Sequence, residues 1–528
     1  MDTTTLTALA SMLDAHGLLA RPFSARREDP VLTGADSDSR HVRPGHIFVC
    51  KGAAFKPDYL VSAIDQGAVA YLANEEHADE LARVAGQVPA LIATDIRRAM
   101  ALCALECWGH PDKDLTCIGI TGTKGKSTTS YMLRAILEAD AAAHDTTSTH
   151  DSAAACCALI GSIETFDGIE RAESINTTPE ACDLWRHISN ARTSGLTHLV
   201  MEVSSQALKY DRIVGLHLDV AAFLNIGSDH ISPLEHPTWE DYFTSKLRIF
   251  KQARTAVINL GSDHLERILD AASVCDRTLT FSANGKEICG HTADVWCDEI
   301  VSGFGESTFL VHTPRWEERI TLPMAGAFNV ENALAAITMA EACSVEPASI
   351  KQGLSAIQVP GRMELVMSAD KKIVGIVDFA HNALAFSKFG PSVKQEFPGY
   401  KIISVFGATG DKATERRYEL PQEAAAWSDY LIFTKDDPGH ERPEDICQEM
   451  STATPPGTPH QIIPDRQEAI TAAVARAAKS TEPCVVCVLA RGTEGFQHEN
   501  GKLVAAPLDM DMLKHALAQL PELPQQGI

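Results

Sequence analysis

The sequence predicts an α/β protein of three domains, which span residues 1–112, 113–357 and 358–528. Short apolar runs bounded by polar loops recur along the chain, and such runs are typical of buried parallel strands. Helical stretches separate these runs, and strands that alternate with helices build parallel sheets covered by helices. A chain of 528 residues is long enough for three or four domains.

The first domain is predicted to be small and α/β. Residues 38–49 predict a turn that leads into a short strand, and residues 64–72 predict the end of a helix followed by another strand. In the central domain, apolar runs at 197–205 and 219–226 predict buried strands of a parallel sheet. Residues 139–155, rich in Ala, Asp, Thr and Ser, predict an exposed and mobile connection.

A glycine-rich loop follows another apolar strand, residues 115–120, and precedes an apparent helix, residues 130–138. Strand, loop and helix together are the setting of a phosphate-binding loop, because glycines let backbone N–H groups approach phosphate oxygens. The helix N-terminus adds a favourable dipole. Lys126 would reach the β- and γ-phosphates, and the Ser127 hydroxyl would hold Mg²⁺. The glycine spacing differs from the general pattern, so a purely structural turn is the alternative.

The third domain is predicted to be doubly wound and Rossmann-like, with ligands at the carboxyl ends of its strands. We expect its tail, residues 521–528, to be disordered. The segments that carry this prediction are the strands at 373–378, 402–406, 430–433 and 485–489 and the helix at 470–479.

Composition limits the function classes. The net charge of −24 argues against binding to nucleic acid or to an anionic membrane, although a local basic pocket could still hold a small anion. The Cys484-Val-Val-Cys487 motif lies in an apolar run, which favours buried thiols over a redox pair or a zinc site. The N-terminus lacks the basic region of a signal peptide, and no apolar run approaches 18 residues. We therefore expect a cytoplasmic protein without membrane insertion.

Three charged or titratable side chains stand at the ends of predicted strands or on a helix. Glu202 interrupts an apolar run, where a carboxylate is costly unless it is paired or bound to a metal, and is a candidate Mg²⁺ ligand. His230 follows the strand that ends near Asn225, where a nucleotide would lie. Lys246 lies on an amphipathic segment, and its periodicity alone predicts a solvated lysine.

Several dispersed motifs, in their order, resemble the Mur ligase family, and most of all its branch of UDP-N-acetylmuramoyl-tripeptide synthetases. The family's loop, Thr-Gly-Thr-x-Gly-Lys-Ser/Thr, matches residues 121–127, which explains the unusual glycine spacing. The likeness runs from about residue 36 to 510. Further matching segments are 176–180, 201–205 with Arg212, 225–230, 326–332, 361–362 and 377–381.

The resemblance implies a monomeric ligase that depends on ATP and Mg²⁺. Such a ligase joins a UDP-N-acetylmuramoyl dipeptide to a free diamino acid in peptidoglycan precursor synthesis. The first domain would bind UDP, the second ATP and the third the amino acid. Lys246 falls where the family carries a carbamylated lysine, whose anionic form suits a Mg²⁺ site.

The implied catalytic residues are Lys126, Lys246, Glu202 and His230, and the metal ligands are Ser127, Glu202, His230 and Lys246. The implied ATP-binding residues are Thr121, Gly122, Thr123, Lys124, Gly125, Lys126, Ser127, Asn329, Arg362 and Asp378. The implied contacts of the nucleotide-sugar peptide are Ser39, Asn176, Thr177, Thr178, Ser204 and Arg212.

Residues 434–443 resemble the family's amino-acid recognition loop. Members that add meso-diaminopimelate carry Asp-Asn-Pro-Arg there, and the Arg binds the side-chain carboxylate in a bidentate manner. Here the segment is Asp436-Asp437-Pro438-Gly439, so the pocket loses a cation and gains an anion. We expect a side chain that ends in an ammonium: L-lysine fits best, with ornithine as a shorter alternative. Arg417 would hold the α-carboxylate, and Glu494 an ammonium group.

Two rival interpretations stay open at this point. The segment 434–437 also fits the guanine-recognition pattern of small GTPases, although the separation from the glycine-rich loop is far too long. A non-catalytic, nucleotide-binding relative of the ligases is the second rival, yet Glu202, His230 and Lys246 are all present. The chain departs from many family members at Gln206 and Ser232, and it lacks the proline common at 381–383.

Overall fold

The structure, a computed structural model, describes residues 4–23, 29–52, 55–144, 155–227, 231–232, 235–303, 305–324, 326–368, 370 and 372–520. The chain divides into two compact units. The first comprises residues 1–282, 286–295 and 335–350, and the second comprises residues 283–285, 296–334 and 351–528. The three-domain division drawn from the sequence stays a prediction.

The first unit begins with a small parallel sheet in the order β3-β4-β5-β6, packed against helices. It contains the strands predicted near residues 46–50 and 70–74. The elements are β1 (Thr4–Thr5), α1 (Leu6–Ala15), β2 (Val31–Leu32), β3 (Gly34–Asp36), β4 (His46–Cys50), α2 (Pro57–Asp65), β5 (Ala70–Asn74), α3 (Ala78–Ala85), β6 (Ala90–Ala93) and α4 (Ile96–Trp108).

A second, larger set of strands follows in the first unit, in the order β10-β9-β8-β11-β7-β12-β13-β14. The strands from β8 to β14 run parallel along this order, whereas β9 and β10 are antiparallel additions at one edge. The elements are β7 (Thr116–Thr121), α5 (Lys126–His144), β8 (Cys157–Ile160), β9 (Glu164–Phe166), β10 (Arg171–Glu173), α6 (Ala181–Thr193), β11 (His198–Glu202), α7 (Ser205–Lys209), β12 (Leu218–Phe223), α8 (Trp239–Leu247), β13 (Ala253–Asn259), α9 (Leu265–Ala272), β14 (Arg277–Ser282), β15 (Glu287–Ile288) and β16 (His291–Thr292).

The register of this sheet fixes the place of a site. Glu202 pairs with Ile120 in the parallel ladder of β11 and β7, and Phe223 pairs with Thr121 in the ladder of β12 and β7. The carboxyl ends of β11, β7 and β12 therefore lie side by side at one edge of the sheet. Ligands of open α/β sheets bind at such an edge.

Helix α5 corrects one prediction. It begins at Lys126 and continues to His144, so residues 139–144 are helical rather than part of a mobile connection. Ala139, Ala141, Ala142 and Ala143 lie in this last stretch, and alanine has the highest helix propensity. The rest of the predicted connection up to residue 154 lies outside the described residues.

The second unit contains an antiparallel meander, β17-β18-β19, and a six-stranded sheet in the order β20-β21-β25-β22-β23-β24. Only β20 is antiparallel in this sheet. Residue 295 and residues 335–350 belong to the first unit, so α10 and α11 contain residues of both units. The elements from residue 295 onward are β17 (Val295–Gly303), β18 (Glu306–His312), β19 (Glu317–Leu322), α10 (Ala327–Ala342), α11 (Pro347–Ser355), β20 (Glu364–Met367), β21 (Ile373–Asp378), α12 (Ala383–Glu396), β22 (Lys401–Phe406), α13 (Arg416–Ala425), β23 (Tyr430–Phe433), α14 (Pro443–Ala453), β24 (His460–Ile462), α15 (Arg466–Ala478), β25 (Cys484–Leu489), β26 (Phe496–Glu499), β27 (Lys502–Ala505) and α16 (Asp509–Ala518).

Helices cover both faces of the six-stranded sheet. One apolar cluster joins the strands to α12, α13 and α14, and another joins them to α15 and α16. The doubly wound prediction is therefore confirmed. Cys484 and Cys487 are buried free thiols of β25, and burial raises the pKa of both. Three 3₁₀ helices, Glu75–His77, Pro111–Asp114 and Arg248–Gln252, also occur. The described part of the chain contains no helix with the length and apolarity needed to cross a membrane.

A buried ion pair joins the starts of α15 and α16. Arg466 donates to both carboxylate oxygens of Asp509, each at 2.7 Å, and the two side chains are 2% and 0% exposed. Arg466 also donates to the backbone carbonyls of Lys435 and Leu489, so the pair supports the loops that follow β23 and β25.

We expect Asp509→Asn to lower the free energy of unfolding by about 3–5 kcal/mol, because it leaves the buried Arg466 uncompensated. Glu318→Gln is the control, since Glu318 pairs with Lys351 at 2.9 Å on the surface and such pairs contribute less than about 1 kcal/mol. Urea unfolding followed by tryptophan fluorescence measures both. Equal, small losses would contradict the stabilising role of the buried pair.

Candidate active site

The glycine-rich loop joins β7 to α5. Gly122 and Gly125 have positive φ angles of 155° and 87°, and a left-handed φ is one that glycine adopts without strain. A Cβ on Gly122 would also lie 3.0 Å from the Cβ of Leu224. The sequence places glycine here because both the backbone conformation and the close approach of the neighbouring chain require it.

Asn225 holds this loop from the end of β12. Its side chain accepts from the Lys124 backbone N–H at 2.9 Å and donates to the Lys124 carbonyl at 3.0 Å. Its own carbonyl accepts from the backbone N–H of Thr123 at 3.0 Å. Three hydrogen bonds from one residue therefore set the shape of the loop. Asn225 lies in the family-matching segment 225–230, but the sequence alone did not indicate this role.

Two lysine ammonium groups meet at one carbonyl of the loop. Lys126 donates to the Gly122 carbonyl at 3.0 Å, and the buried Lys246 of α8 donates to the same oxygen at 2.9 Å. Lys246 is only 2% exposed and lies over the ring of Tyr242, so it is not the solvated lysine that periodicity predicted. The structure thus brings two of the predicted catalytic side chains together beside the loop.

Glu202 ends β11 and is 1% exposed. Its carboxylate accepts from the Ser162 backbone N–H at 2.8 Å and from the Ser162 hydroxyl at 3.0 Å. Ser162 also lies 3.0 Å from the hydroxyl of Thr177. Ser162 is therefore a site residue that the sequence did not indicate, since nothing in its local pattern points to Glu202.

The oxygen donors at this edge suit Mg²⁺, which prefers carboxylate and hydroxyl ligands. Ser127, at the start of α5, and Glu202 supply such oxygens from neighbouring elements. The amine of Lys246 suits the ion only after conversion to a carbamate. The fourth predicted ligand, His230, lies outside the described residues.

The predicted substrate loops are joined to Glu202 through the backbone. Thr178 donates its hydroxyl to the Glu202 carbonyl at 2.9 Å and accepts from the Ser204 backbone N–H at 3.0 Å. Arg212 donates to the Thr178 carbonyl at 2.9 Å. Asn176 is exposed, and Ser39 lies half-buried in the turn after β3.

A second ion network supports Arg212. Glu180 pairs with Arg212 at 2.6 Å and with Lys51. Burial alone would raise the pKa of Glu180, but Lys51 and Arg212 hold it below its ordinary value. Lys51 and Glu180 are 129 residues apart in sequence, so no local pattern could have indicated their contact.

In the second unit, Arg362 lies 4.3 Å from the centre of the Phe379 ring. Asp378 ends β21, and its carboxylate accepts from the backbone N–H groups of Met363 and Ala380, both at 2.8 Å. Asn329 lies buried near the start of α10. Arg362 and Asp378, two of the implied ATP-binding residues, are thus joined through the backbone of Met363, the neighbour of Arg362.

The amino-acid loop follows β23. The Asp437 carboxylate lies 3.1 Å from the Lys412 ammonium and within 3.1–3.2 Å of His498 Nδ1. Burial raises the pKa of Asp437, but His498 and Lys412 overcome this effect and lower it below its ordinary value. Lys412 and His498 therefore balance the negative charge of Asp437, the residue that stands where diaminopimelate-adding enzymes carry Asn.

Asp436 and Glu494 differ from Asp437. Asp436 is 6% exposed, Glu494 is half-buried, and neither carboxylate accepts a hydrogen bond from any residue that the structure describes. Burial is the main cause that raises the pKa of Asp436, and burial with the charge of Asp436 raises that of Glu494 to about 8. The charges of Arg466 and Arg491 lower the pKa of Asp436, and those of Arg491 and Lys412 lower that of Glu494, but burial outweighs both effects. The two carboxyl groups are candidates to receive a cation.

Arg417 is 3% exposed and donates to Glu441 at 2.6 Å and to Glu449 at 3.1 Å. Its Nε atom has no hydrogen-bond partner among the described residues. Gly439 has a φ of 60°, and a Cβ there would lie 2.2 Å from a carboxylate oxygen of Asp411. The arginine that diaminopimelate-adding enzymes carry at this position would require the loop to move.

Residues 120–340 match the family model of the Mur ligase middle domain, and residues 361–492 match that of the Mur ligase, glutamate ligase domain. A UDP-N-acetylmuramyl-tripeptide synthetase of Bifidobacterium longum is 34% identical over 96% of this chain and 98% of its own. A UDP-N-acetylmuramoyl-L-alanyl-D-glutamate–L-lysine ligase of Streptococcus pyogenes is 35% identical over 91% and 92%.

Solved structures agree on the fold. The structure of a UDP-N-acetylmuramoyl-L-alanyl-D-glutamate–2,6-diaminopimelate ligase matches with a TM-score of 0.63 at 24% identity, over 98% of this chain and 99% of that one. MurF from Acinetobacter baumannii matches with a TM-score of 0.64 at 18% identity over the same shares. The resemblance drawn from the motifs is therefore confirmed, and this chain belongs to the Mur ligase family.

Proposed function

We propose that this protein is the ATP-dependent ligase that adds L-lysine to the D-glutamate carboxylate of UDP-N-acetylmuramoyl-L-alanyl-D-glutamate. The observation that carries the choice of lysine is the pair of carboxylates of Asp436 and Glu494, which accept no hydrogen bond from the described residues. Such a pair can receive an ammonium group, whereas a side-chain carboxylate there would be repelled. The name of the Streptococcus pyogenes relative supports the same amino acid.

Phosphoryl transfer is assigned to the first unit. Backbone N–H groups at the start of α5 and the Lys126 ammonium would hold the phosphates of ATP. Mg²⁺, when bound by Ser127 and Glu202, would neutralise charge that develops on the phosphates. The carbamylation of Lys246, the roles of Asn329, Arg362 and Asp378, and the ligand role of His230 stay predictions.

The proposed reaction forms the amide bond in two steps. The D-glutamate carboxylate attacks the γ-phosphorus of ATP, and the products of this step are an acyl phosphate and ADP. The α-amine of lysine, as the free base, attacks the acyl carbon, and the tetrahedral intermediate expels inorganic phosphate. The amine loses a proton as the amide forms. Arg417 is proposed to hold the α-carboxylate of lysine, and Glu494 its ammonium group.

The alternatives are the same reaction with L-ornithine or meso-diaminopimelate, or a relative without activity. A GTP-dependent switch is not among them, because the chain belongs to the Mur ligase family. The cytoplasmic location, the monomeric state and the role of the first domain in binding UDP stay predictions from the sequence.

Lys126→Ala is expected to lower kcat/KM by at least about a thousandfold, because the phosphates lose the cation that approaches them from the loop. Lys113→Ala is the control, since Lys113 is an exposed lysine outside the site. Phosphate release in the presence of the dipeptide and lysine measures both. Near-normal release by Lys126→Ala would contradict the assignment of the loop and would favour a non-catalytic role for it.

L-lysine should be used at least about a hundred times more efficiently than meso-diaminopimelate. A second carboxylate placed near Asp436 and Glu494 would cost on the order of 3 kcal/mol or more. L-ornithine should lose roughly 1 kcal/mol for the missing methylene and the longer ion-pair distance. The measurement is kcat/KM for each amino acid at fixed concentrations of ATP and of the dipeptide. Equal use of meso-diaminopimelate and lysine would contradict the charge argument.

The KM for lysine should fall as the pH rises from about 7 to about 8.5. The pKa of Glu494 is raised to about 8, so its carboxyl is mostly protonated below that pH and binds an ammonium only after it ionises. Glu494→Gln should raise KM and remove this slope. The amino groups of lysine titrate equally with both enzymes, so the difference between the two pH profiles isolates Glu494. Parallel profiles would show that Glu494 does not receive the ammonium.

A further inference from the structure

The amino-acid loop is held by an element that carries none of the family's motifs. This element is the hairpin formed by β26 and β27, here called the 496–505 hairpin. Gly439 donates its backbone N–H to the His498 carbonyl at 2.8 Å and accepts from the Asn500 backbone N–H at 2.7 Å. Gly439 thus forms an isolated parallel bridge with Glu499, which joins the loop to the hairpin at this one residue.

His498 contacts the loop a second time, through Asp437. Its backbone N–H donates to Asp437 Oδ1, and its Nδ1 lies 3.1 Å and 3.2 Å from the two carboxylate oxygens. Lys412 reaches the same carboxylate from another loop at 3.1 Å. The Asp437 side chain is 15% exposed, and both of its carboxylate oxygens have a partner.

The two neighbouring aspartates of the loop consequently have different tasks. Asp437 is fully engaged by the protein, whereas Asp436 accepts no hydrogen bond from the described residues and is electrostatically coupled to Glu494. Because Asp436 and Asp437 are adjacent, the contacts that hold Asp437 also restrict the backbone of Asp436. A change at His498 would therefore reach the pocket through the loop.

We propose that His498 is a positioning residue for amino-acid selection: it anchors Asp437 to the 496–505 hairpin, which leaves Asp436 and Glu494 as the acceptors of the substrate's ammonium group. This inference rests on the proposed function, since it concerns how the same pocket selects a diamino acid. Lys412 is the second anchor of the same carboxylate.

His498→Leu removes the side-chain donor and keeps the backbone N–H. We expect the KM for L-lysine to rise about tenfold, as for the loss of one hydrogen bond to a charged group. The KM values for ATP and for the dipeptide should stay within about twofold. His498→Asn places a side-chain N–H near the position of Nδ1 and should bring the KM for lysine back to within about threefold of wild type.

His515→Leu is the matched control, because it makes the same substitution at an exposed histidine of α16, where the side chain contacts Gln519. Lys412→Met should raise the KM for lysine in the same direction as His498→Leu. The ratio of kcat/KM for lysine to that for ornithine should fall in both variants, since a loop that is less firmly held discriminates chain length less sharply.

Two results would overturn the inference: an unchanged KM for lysine in His498→Leu, or an equal rise in the KM for all three substrates with a lowered Tm, which would indicate general loosening. The absence of rescue by His498→Asn would count against it as well. A wild-type enzyme that uses no diamino acid would instead contradict the proposed function itself, so the two failures are distinguishable.

Discussion

The hydrogen bonds between Asn225 and the glycine-rich loop are the constraint on which the central site depends. A loop with two glycines at positive φ has many alternative conformations, and three hydrogen bonds to one residue select a single one. Because β12 lies beside β7, the strand that leads to Asn225 and the strand that leads to the loop share a register. The sheet therefore supplies the geometry, and the carbonyl of Gly122 becomes the point where Lys126 and Lys246 meet.

The two units gather ionisable side chains of opposite kind in a chain whose net charge is −24. In the first unit, the half-buried Lys126 and the buried Lys246 donate to one carbonyl of the glycine-rich loop. In the second unit, Asp436 and Glu494 have raised pKa values because burial disfavours their charged forms. Local burial, rather than net charge, thus sets the electrostatic character of each group of residues.

Much of the fold could be predicted from the sequence, since parallel strands buried on both faces are continuous apolar runs. The strands at 116–121, 198–202, 373–378 and 484–489 lie where such runs predicted them. The glycine pattern also predicted a tight loop after β7, and Gly122 and Gly125 have positive φ angles there. The role of the loop at a phosphate stays a prediction. The extension of α5 to His144 was missed, since a run of Ala and Asp predicts both an exposed helix end and a linker.

Long-range partners could not be predicted. Three contacts of the candidate sites join residues that are 40 or more positions apart in the sequence. They are Ser162 with Glu202, Lys51 with Glu180, and His498 with Asp437. No local sequence pattern predicts that Asp437 has hydrogen-bond donors while its neighbour Asp436 has none among the described residues. For this reason the sequence could indicate Asp436, Asp437 and Glu494 as residues of the amino-acid pocket but could not show that His498 and Lys412 contact Asp437.

In the proposed reaction, a carboxylate of the dipeptide takes the γ-phosphoryl group of ATP before the amino acid attacks. The most direct measurement uses dipeptide labelled with ¹⁸O in the D-glutamate carboxylate and follows the label into inorganic phosphate by mass spectrometry. An acyl phosphate predicts that each turnover with L-lysine transfers one labelled oxygen to the phosphate that is released. Phosphate without the label, or phosphate released at the same rate in the absence of the dipeptide, would contradict the account.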